Sequence, residues 1–400
     1  MSEVSKAQGP QDVVVVGAAR TAQGRMLGGL SSLSAVDLGS EAIKGVLDRS
    51  GISADSIDYV LMGQVVQAGS GQNPAKQAAV KAGVSINVPA VTINKVCLSG
   101  LDAVVSASRL IRLGDAQVVI AGGQESMSNA PFVAPGVRAG HKYGAMELLD
   151  ALERDGLSDP NEGTSMGKET DEHAQEAGLT REEQDNIAAL SHQRAEAAVA
   201  EGKFAAEILP IEIQGRKGST VVDTDEGIRP GTTAESLAKL RPAFIKDGTI
   251  TAASSSPISD GASALILTTR ENAEAQGWTV LATLGEYGQT AGPTTSLLSQ
   301  PSQAISAALD KAGWSASDLD FVEINEAFGA VVAQSLKDLD YPLEKTNIHG
   351  GAIALGHPIG CSGARLVVHA VHELASRGEG KAAVSLCGGG GQGDALLLFR

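Results

Sequence analysis

Residues 42–60, AIKGVLDRSGISADSIDYV, return at 304–322 as AISAALDKAGWSASDLDFV, with nine of nineteen positions identical. In the first copy apolar residues at helical spacing run up to Gly51 and an apolar strand pattern follows, Ile57 to Gly63. The offset, 304 − 42 = 262 residues, far exceeds the roughly 20–50 residues of a solenoid repeat and marks a duplicated domain. A second match keeps nearly the same offset: Ser99-Gly100 opens one apolar helix pattern and Ser362-Gly363 another, and the run Val118 to Gly123 is paralleled by Ala382 to Gly388. Strand, helix and strand in alternation predict an α/β fold in two halves of one topology.

Working outward, Asp12 to Gly17 is a continuous β-branched run closed by glycine, the pattern of a strand buried on both faces of a sheet. Ser34 and Asp37 form a capping-box pattern ahead of the helix that carries Leu38, Ala42, Ile43, Val46 and Leu47. Between the halves the character changes, with Pro131, Pro135, Pro160 and Pro210 and a charged helical stretch from Arg181 to Glu201. This reads as an inserted, more exposed subdomain. A buried-type run, Ala262 to Leu267, then returns to the strand pattern and is expected to rejoin the first sheet. The expected division is 1–127 with 259–279 as the first half, 128–258 as the insertion, and 280–400 as the second half.

Composition narrows the function. Lys and Arg number 31 against 47 Asp and Glu, a net charge of 31 − 47 = −16, which argues against nucleic acid or an anionic membrane as partner. With 42% hydrophobic and 20% charged residues the chain reads as a globular protein with a sizeable core. Forty-eight glycines and 3% aromatics point to tight turns and an interior of Ala, Val, Leu and Ile. Cys97, Cys361 and Cys387 are odd in number and widely spaced, which suggests neither a disulfide framework nor a zinc site and fits a reducing cytosol. The polar leader Met1 to Gln11, and the lack of any stretch near ~18 apolar residues, give no expectation of secretion or membrane insertion.

Four motifs carry chemistry. In Asn94-Lys95-Val96-Cys97-Leu98-Ser99-Gly100-Leu101 the cysteine stands at a helix start, where free N–H groups and the macrodipole predict a pKa lowered toward ~3.5–7.5; alone, it would serve equally as a core filler. In Gly350 to Gly363, GGAIALGHPIGCSG, a glycine-lined turn delivers His357, and Pro358 keeps it out of the helical region. Such an imidazole can deprotonate a thiol or hold an oxyanion. The strand Ala382 to Leu386 ends in Cys387-Gly388-Gly389-Gly390-Gly391-Gln392-Gly393, whose bare backbone can aim N–H groups at an oxygen; a phosphate cradle would need the Lys-Ser/Thr ending that is missing. Glu323-Ile324-Asn325-Glu326-Ala327-Phe328 puts two polar groups at a strand's carboxyl end. All four lie where open α/β sheets hold ligands.

NKVCLSG, NEAF, GGAIALGHPIGCSG and CGGGGQG, in this order across the whole chain, resemble the thiolase family. The resemblance implies two similar halves, each a five-stranded mixed sheet between helices, with an inserted loop domain. It implies Cys97 as the acylated nucleophile and His357 as its activator, with His357 and an Asn325-held water forming one oxyanion hole. Cys387 is implied as acid/base, and the N–H groups of Cys97 and Gly389 as the second hole. For coenzyme A it implies Ser256 on the pantetheine chain beside Ala252 and Phe328, Arg229 and Ser236 near the nucleotide, and Met166 in the pocket wall. Lys203, Arg216, Lys217, Arg229, Lys239, Arg241 and Lys246 supply basic charge for phosphates. Departures are Ser165, where many acetoacetyl-CoA-forming members carry histidine, and Pro257. The implied reaction is the reversible condensation of two acetyl-CoA to acetoacetyl-CoA and CoA, in the cytoplasm, by a homotetramer with no metal or other cofactor. Broader-chain 3-ketoacyl-CoA thiolysis is the alternative. A decarboxylating β-ketoacyl synthase would not need Cys387, and a non-catalytic acyl-CoA binding protein would not need the whole set.

Overall fold

A computed structural model describes residues 9–215 and 218–400; Met1 to Gln8 and the basic Arg216 and Lys217 lie outside them. The first half comprises β1 (Val13–Thr21), α1 (Ala35–Ser50), β2 (Tyr59–Gly63), α2 (Pro74–Lys81), β3 (Ala90–Ile93), α3 (Ser99–Leu113) and β4 (Val119–Ser126). The intervening segment includes α4 (Met166–Glu176) and α5 (Arg181–Ala200), after which β5 (Ser259–Thr269) returns between β1 and β4. The second half runs β6 (Ala282–Ala291), α6 (Gln300–Ala312), β7 (Phe321–Ile324), α7 (Gly329–Leu339), α8 (Ser362–Arg377), β8 (Lys381–Gly388) and β9 (Gln392–Phe399).

The repeated sequence has a structural reason. α1 starts on the Ser34–Asp37 capping box and ends at Gly51 (φ 70°), and α6 ends at Gly313 (φ 68°), where the left-handed cap favours glycine. A single 3₁₀ turn then leads into β2 or β7. Because the turn at Ala54–Ser56 takes the Ile57 N–H, the strand starts at Tyr59, two residues later than its apolar pattern suggests. β1 conversely runs four residues past Gly17, paired with β5 as far as Arg20↔Ser263 across a bulge at Val15/Gly17.

Strand order is β3-β2-β4-β5-β1 in the first half and β7-β8-β9-β6 in the second, with the same parallel and antiparallel pairings. The two-half fold is as expected, with two refinements. The counterpart of β3 shrinks to one parallel bridge, Val322↔Thr346, so the second half has four strands rather than five. The halves also join edge to edge through Val14↔Thr283 and Val15↔Ala282, forming one continuous sheet.

Three apolar clusters stack the layers. α1 and α2 cover one face of the first sheet, α6 and α7 cover the far face of the second, and α3 and α8 lie between them with Val13, Val15, Leu265, Val384, Leu396 and Leu398. Each such buried aliphatic side chain contributes about 1.5–3 kcal/mol, and here both halves draw on one shared cluster. The N-terminal turns of α3 and α8 meet backbone to backbone: a Cβ on Gly100 would lie 2.8 Å from Ala364 N, and one on Gly363 2.4 Å from Leu101 N. That contact is why Ser-Gly opens both helices, and it sets Cys97 beside the His357 loop. Arg20, fully buried, binds Glu207 (2.8 Å) and Asp225 (2.7 Å) and so fixes the intervening segment to the first sheet. Among the described residues no helix is long and apolar enough to cross a membrane.

Candidate active site

The loop carrying Cys97 is a strained elbow. Asn94 Oδ1 accepts the Val96 N–H at 3.0 Å, Ser99 Oγ accepts the Lys95 N–H at 2.9 Å and donates to Val96 O. These bonds hold Val96, a β-branched residue, at φ 51°, a conformation costing about 1–3 kcal/mol. Cys97 follows immediately, two residues before α3, and keeps partial solvent access while Cys361 and Cys387 are buried. Its sulfur accepts the backbone N–H groups of Cys97 itself and of Gly389.

The expected depression of the Cys97 pKa is not found. Burial, with the Glu125 carboxylate nearby, outweighs the two N–H bonds and pushes the thiol up to about 12. The helix terminus is present, but loss of water around the thiolate costs more than it returns. Alkylation of Cys97 by iodoacetamide should therefore keep rising with pH, close to tenfold per unit, from pH 7 to 10. A plateau below pH 8 would restore the lowered pKa.

His357 is buried and doubly held. Its Nδ1 lies 2.5 Å from Ser362 Oγ, which itself donates to Pro358 O at 2.9 Å, so the ring proton sits on Nδ1 and donates to the serine. Nε2 is then the unprotonated nitrogen and accepts from Asn325 Nδ2 at 3.3 Å. The His357 N–H donates to Ser259 Oγ, which donates to Pro257 O; Pro257 thus belongs to the support of the loop. Burial and the Arg365 charge lower the His357 pKa to about 3. The pair rests as neutral thiol and neutral imidazole.

Asn325 and Glu326 are buried. Asn325 N–H donates to Ser385 O at 2.9 Å, and its Oδ1 has no partner among the described residues. Glu326 accepts Ser191 Oγ, Asn347 Nδ2 and the Ile353 N–H, tying the NEAF segment to the loop before His357. Cys387, next to last in β8, lies opposite Gly393, its pKa raised by burial and then by Cys97, which places the two thiols within electrostatic reach. A Cβ on Gly388 would come within 2.6 Å of Leu98 Cγ; only a bare backbone lets this strand end lie against the elbow.

The remaining positions fall into two groups. Ser256 bonds Ala327 O through N–H (3.0 Å) and Oγ (3.2 Å), and Ser255 bridges Phe328, so this segment abuts the NEAF turn with Ala252 exposed nearby. Met166 Sδ would lie 3.9 Å from a Cβ on Gly389, and Phe244, absent from the sequence-based set, covers Gly167 and stacks edge-on with Phe328 at 6.0 Å. Ser165 caps α4 by accepting the Lys168 N–H. Arg229 and Ser236 are exposed; Ser236 is engaged in a cap with Thr233, while Arg229 lies two residues past Gly227, which abuts Ala354 O before His357. Glu125 escaped the motif reading altogether. Buried at the end of β4, it accepts the N–H groups of Val65 (2.9 Å), Val66 (3.2 Å) and Gly360 (3.0 Å), and burial raises its pKa to about 8. No local pattern marks such a residue, since its partners are backbone groups distant in sequence.

A duplicated α/β fold with two thiols, an imidazole and an asparagine gathered where the halves meet defines an acyl-transfer enzyme working through a cysteine thioester. Thiolase N-terminal and C-terminal domain models match residues 13–271 and 278–400, and the chain belongs to the thiolase family. It is 51% identical over 388 residues to a probable acetyl-CoA acetyltransferase of Mycolicibacterium smegmatis, covering 97% of this chain and 100% of the relative. Among solved structures, the Bacillus anthracis acetyl-CoA acetyltransferase aligns with a TM-score of 0.94 at 38% identity, covering 97% of this chain and 98% of that one. Human mitochondrial 3-ketoacyl-CoA thiolase aligns with a TM-score of 0.94 at 39% identity, covering 98% and 99%.

Proposed function

We propose that the chain is an acetyl-CoA C-acetyltransferase, condensing two acetyl-CoA to acetoacetyl-CoA and CoA and running the reverse thiolysis. The observation that carries this reading is the convergence of Cys97, His357 with its Nε2 unprotonated, Asn325 and Cys387 between the halves. Cys97 Sγ attacks the thioester carbonyl as its proton passes to His357 Nε2. The carbonyl oxygen, becoming an oxyanion, takes over the Cys97 and Gly389 N–H groups. Cys387 gives its proton to the departing CoA thiolate, and the thiolate left behind removes the α-proton of the second acetyl-CoA. The enolate oxygen then faces His357, now carrying a proton on Nε2, and Asn325. The enolate carbon attacks the acyl group, Cys97 leaves, and His357 returns its proton. Protons and bonds balance without a metal or redox group.

The raised pKa of Cys387 suits the base half of this duty: its thiolate, once formed, is a strong base for the α-proton. Arg229, Ser236, Ser256 and Ala252 are assigned to the CoA chain, with Met166, Phe244 and Phe328 as the pocket wall. The names of the similar proteins favour short chains; thiolysis of 3-ketoacyl-CoAs from four to sixteen carbons should peak at four. Brief exposure to acetyl-CoA followed by peptide mapping should find the acetyl group on Cys97, and a label on Cys361 or Cys387 would refute the scheme.

The assembly proposed is a cytoplasmic homotetramer. A dimer of dimers needs two distinct surfaces, and two are available: the edge strand β3 with Val91 and Ile86 exposed, and the segment 132–148 with Phe132, Tyr143, Met146 and Leu148 exposed. Unpaired edges and apolar clusters of this kind favour a second copy.

A further inference from the structure

We propose that the ion pair between Lys95 and Asp394 is a positioning clamp that sets the spacing of the two reactive thiols. The inference rests on the acyl-transfer reading above and adds to it a pair that neither the motifs nor the chemistry assigned. Lys95 stands two residues before Cys97 on the first half's elbow. Asp394 stands on β9 in register with Leu386, beside Gly393, which is the partner of Cys387. Lys95 Nζ meets both Asp394 oxygens at 2.8 Å, so one ammonium joins the loop of one thiol to the strand of the other.

Three features set this pair apart from an ordinary surface ion pair. The Asp394 side chain is 5% exposed and that of Lys95 22%, in a strand, QGDALLLF, with no other charge; an unpaired carboxylate there would be strongly disfavoured. Gln289 Nε2 braces the same Asp394 oxygen at 3.2 Å, whereas the other acid near Lys95, Asp102, lies at 3.8 Å. The elbow itself is strained at Val96; it meets the second half through the Gly389 N–H on the Cys97 sulfur and through Leu98 and Val96 packed on Gly388 and Gly389, and the Lys95–Asp394 pair adds a charged tie to these contacts. Acylation of Cys97 draws on the second half through groups held to the elbow by other contacts, the Gly389 N–H on the sulfur and the His357 loop packed on the start of α3. Cys387 must reach the α-carbon of a substrate facing that acyl group, a step that depends on the distance between halves, and a 1 Å error in such placement can lower a rate about 10²-fold.

The test compares Lys95→Met, Asp394→Asn, the double variant and Lys95→Arg with wild type in two assays: single-turnover acetylation of Cys97, and solvent deuterium exchange at the acetyl methyl with steady-state condensation. The two single variants should acetylate Cys97 within about threefold of wild type while exchange and condensation fall about 10- to 100-fold, with KM for acetyl-CoA within about threefold. The double variant should be no worse than either single, and Lys95→Arg should retain most of the exchange rate. Unchanged exchange in both singles, equal loss in both assays, or additive losses in the double variant would each overturn the clamp. Wild-type protein that forms no acetyl-Cys97 would overturn the acyl-transfer reading and the clamp together.

Discussion

Cys387→Ala protein should still form acetyl-Cys97 at a readily measured rate, while condensation and methyl-proton exchange fall by about 10³-fold or more, near the upper range for loss of a general acid–base group. The division follows from position. In the proposed scheme Cys97 is activated by His357, and its sulfur takes N–H bonds from its own backbone and Gly389; neither involves the Cys387 sulfur. The CoA thiolate can leave without a proton donor, so acetylation should slow by no more than about tenfold. In the proposed scheme removing an α-proton has no such alternative, because Cys387 is the base assigned to it. Methyl exchange at the wild-type rate in Cys387→Ala, with Cys97 acetylated, would show that Cys387 is not the base.

His357→Ala should damage both half-reactions. Acetylation should fall about 10²- to 10⁴-fold because the thiol, held near 12 by burial, loses the imidazole proposed to take its proton. Exchange should fall further, since the same Nε2 faces the enolate oxygen. Asn325→Ala provides the contrast. It leaves the Ser362-held tautomer intact, so acetylation should stay within about tenfold while exchange drops about 10²- to 10³-fold, the loss typical of one oxyanion donor. Rapid-quench acetylation and deuterium exchange on both variants check this; equal acetylation defects would mean that Asn325 acts on the nucleophile and not on the enolate.

Much of this was readable from the chain. A nineteen-residue repeat predicted two halves because its shared positions, Gly51 and Gly313 at helix ends and Leu47 and Leu309 in the cores, are the ones whose local geometry or burial is tightly specified. The four motifs were legible for the same reason: glycine density, a proline after histidine and a cysteine before a helix are local signals of backbone constraint. Boundaries were less so. Ile57 is as apolar as a strand residue, yet a turn takes its N–H, and β1 runs on past its β-branched stretch only because β5 arrives to pair with it.

The sequence by itself determined the duplication, the order of the elements and the candidates for the reacting groups, since each is encoded within a few residues of itself. Tertiary structure alone decided their charge states and supports. Helix-end logic favoured a thiolate at Cys97, but the balance of desolvation against two N–H bonds is set by what packs around the sulfur, and Glu125 reaches it from another strand. Glu125 on Val65, Val66 and Gly360, Ser259 on His357, and Lys95 on Asp394 join residues up to 299 positions apart. Periodicity reports which face of an element is buried; which polar group meets it there depends on how the two halves pack together.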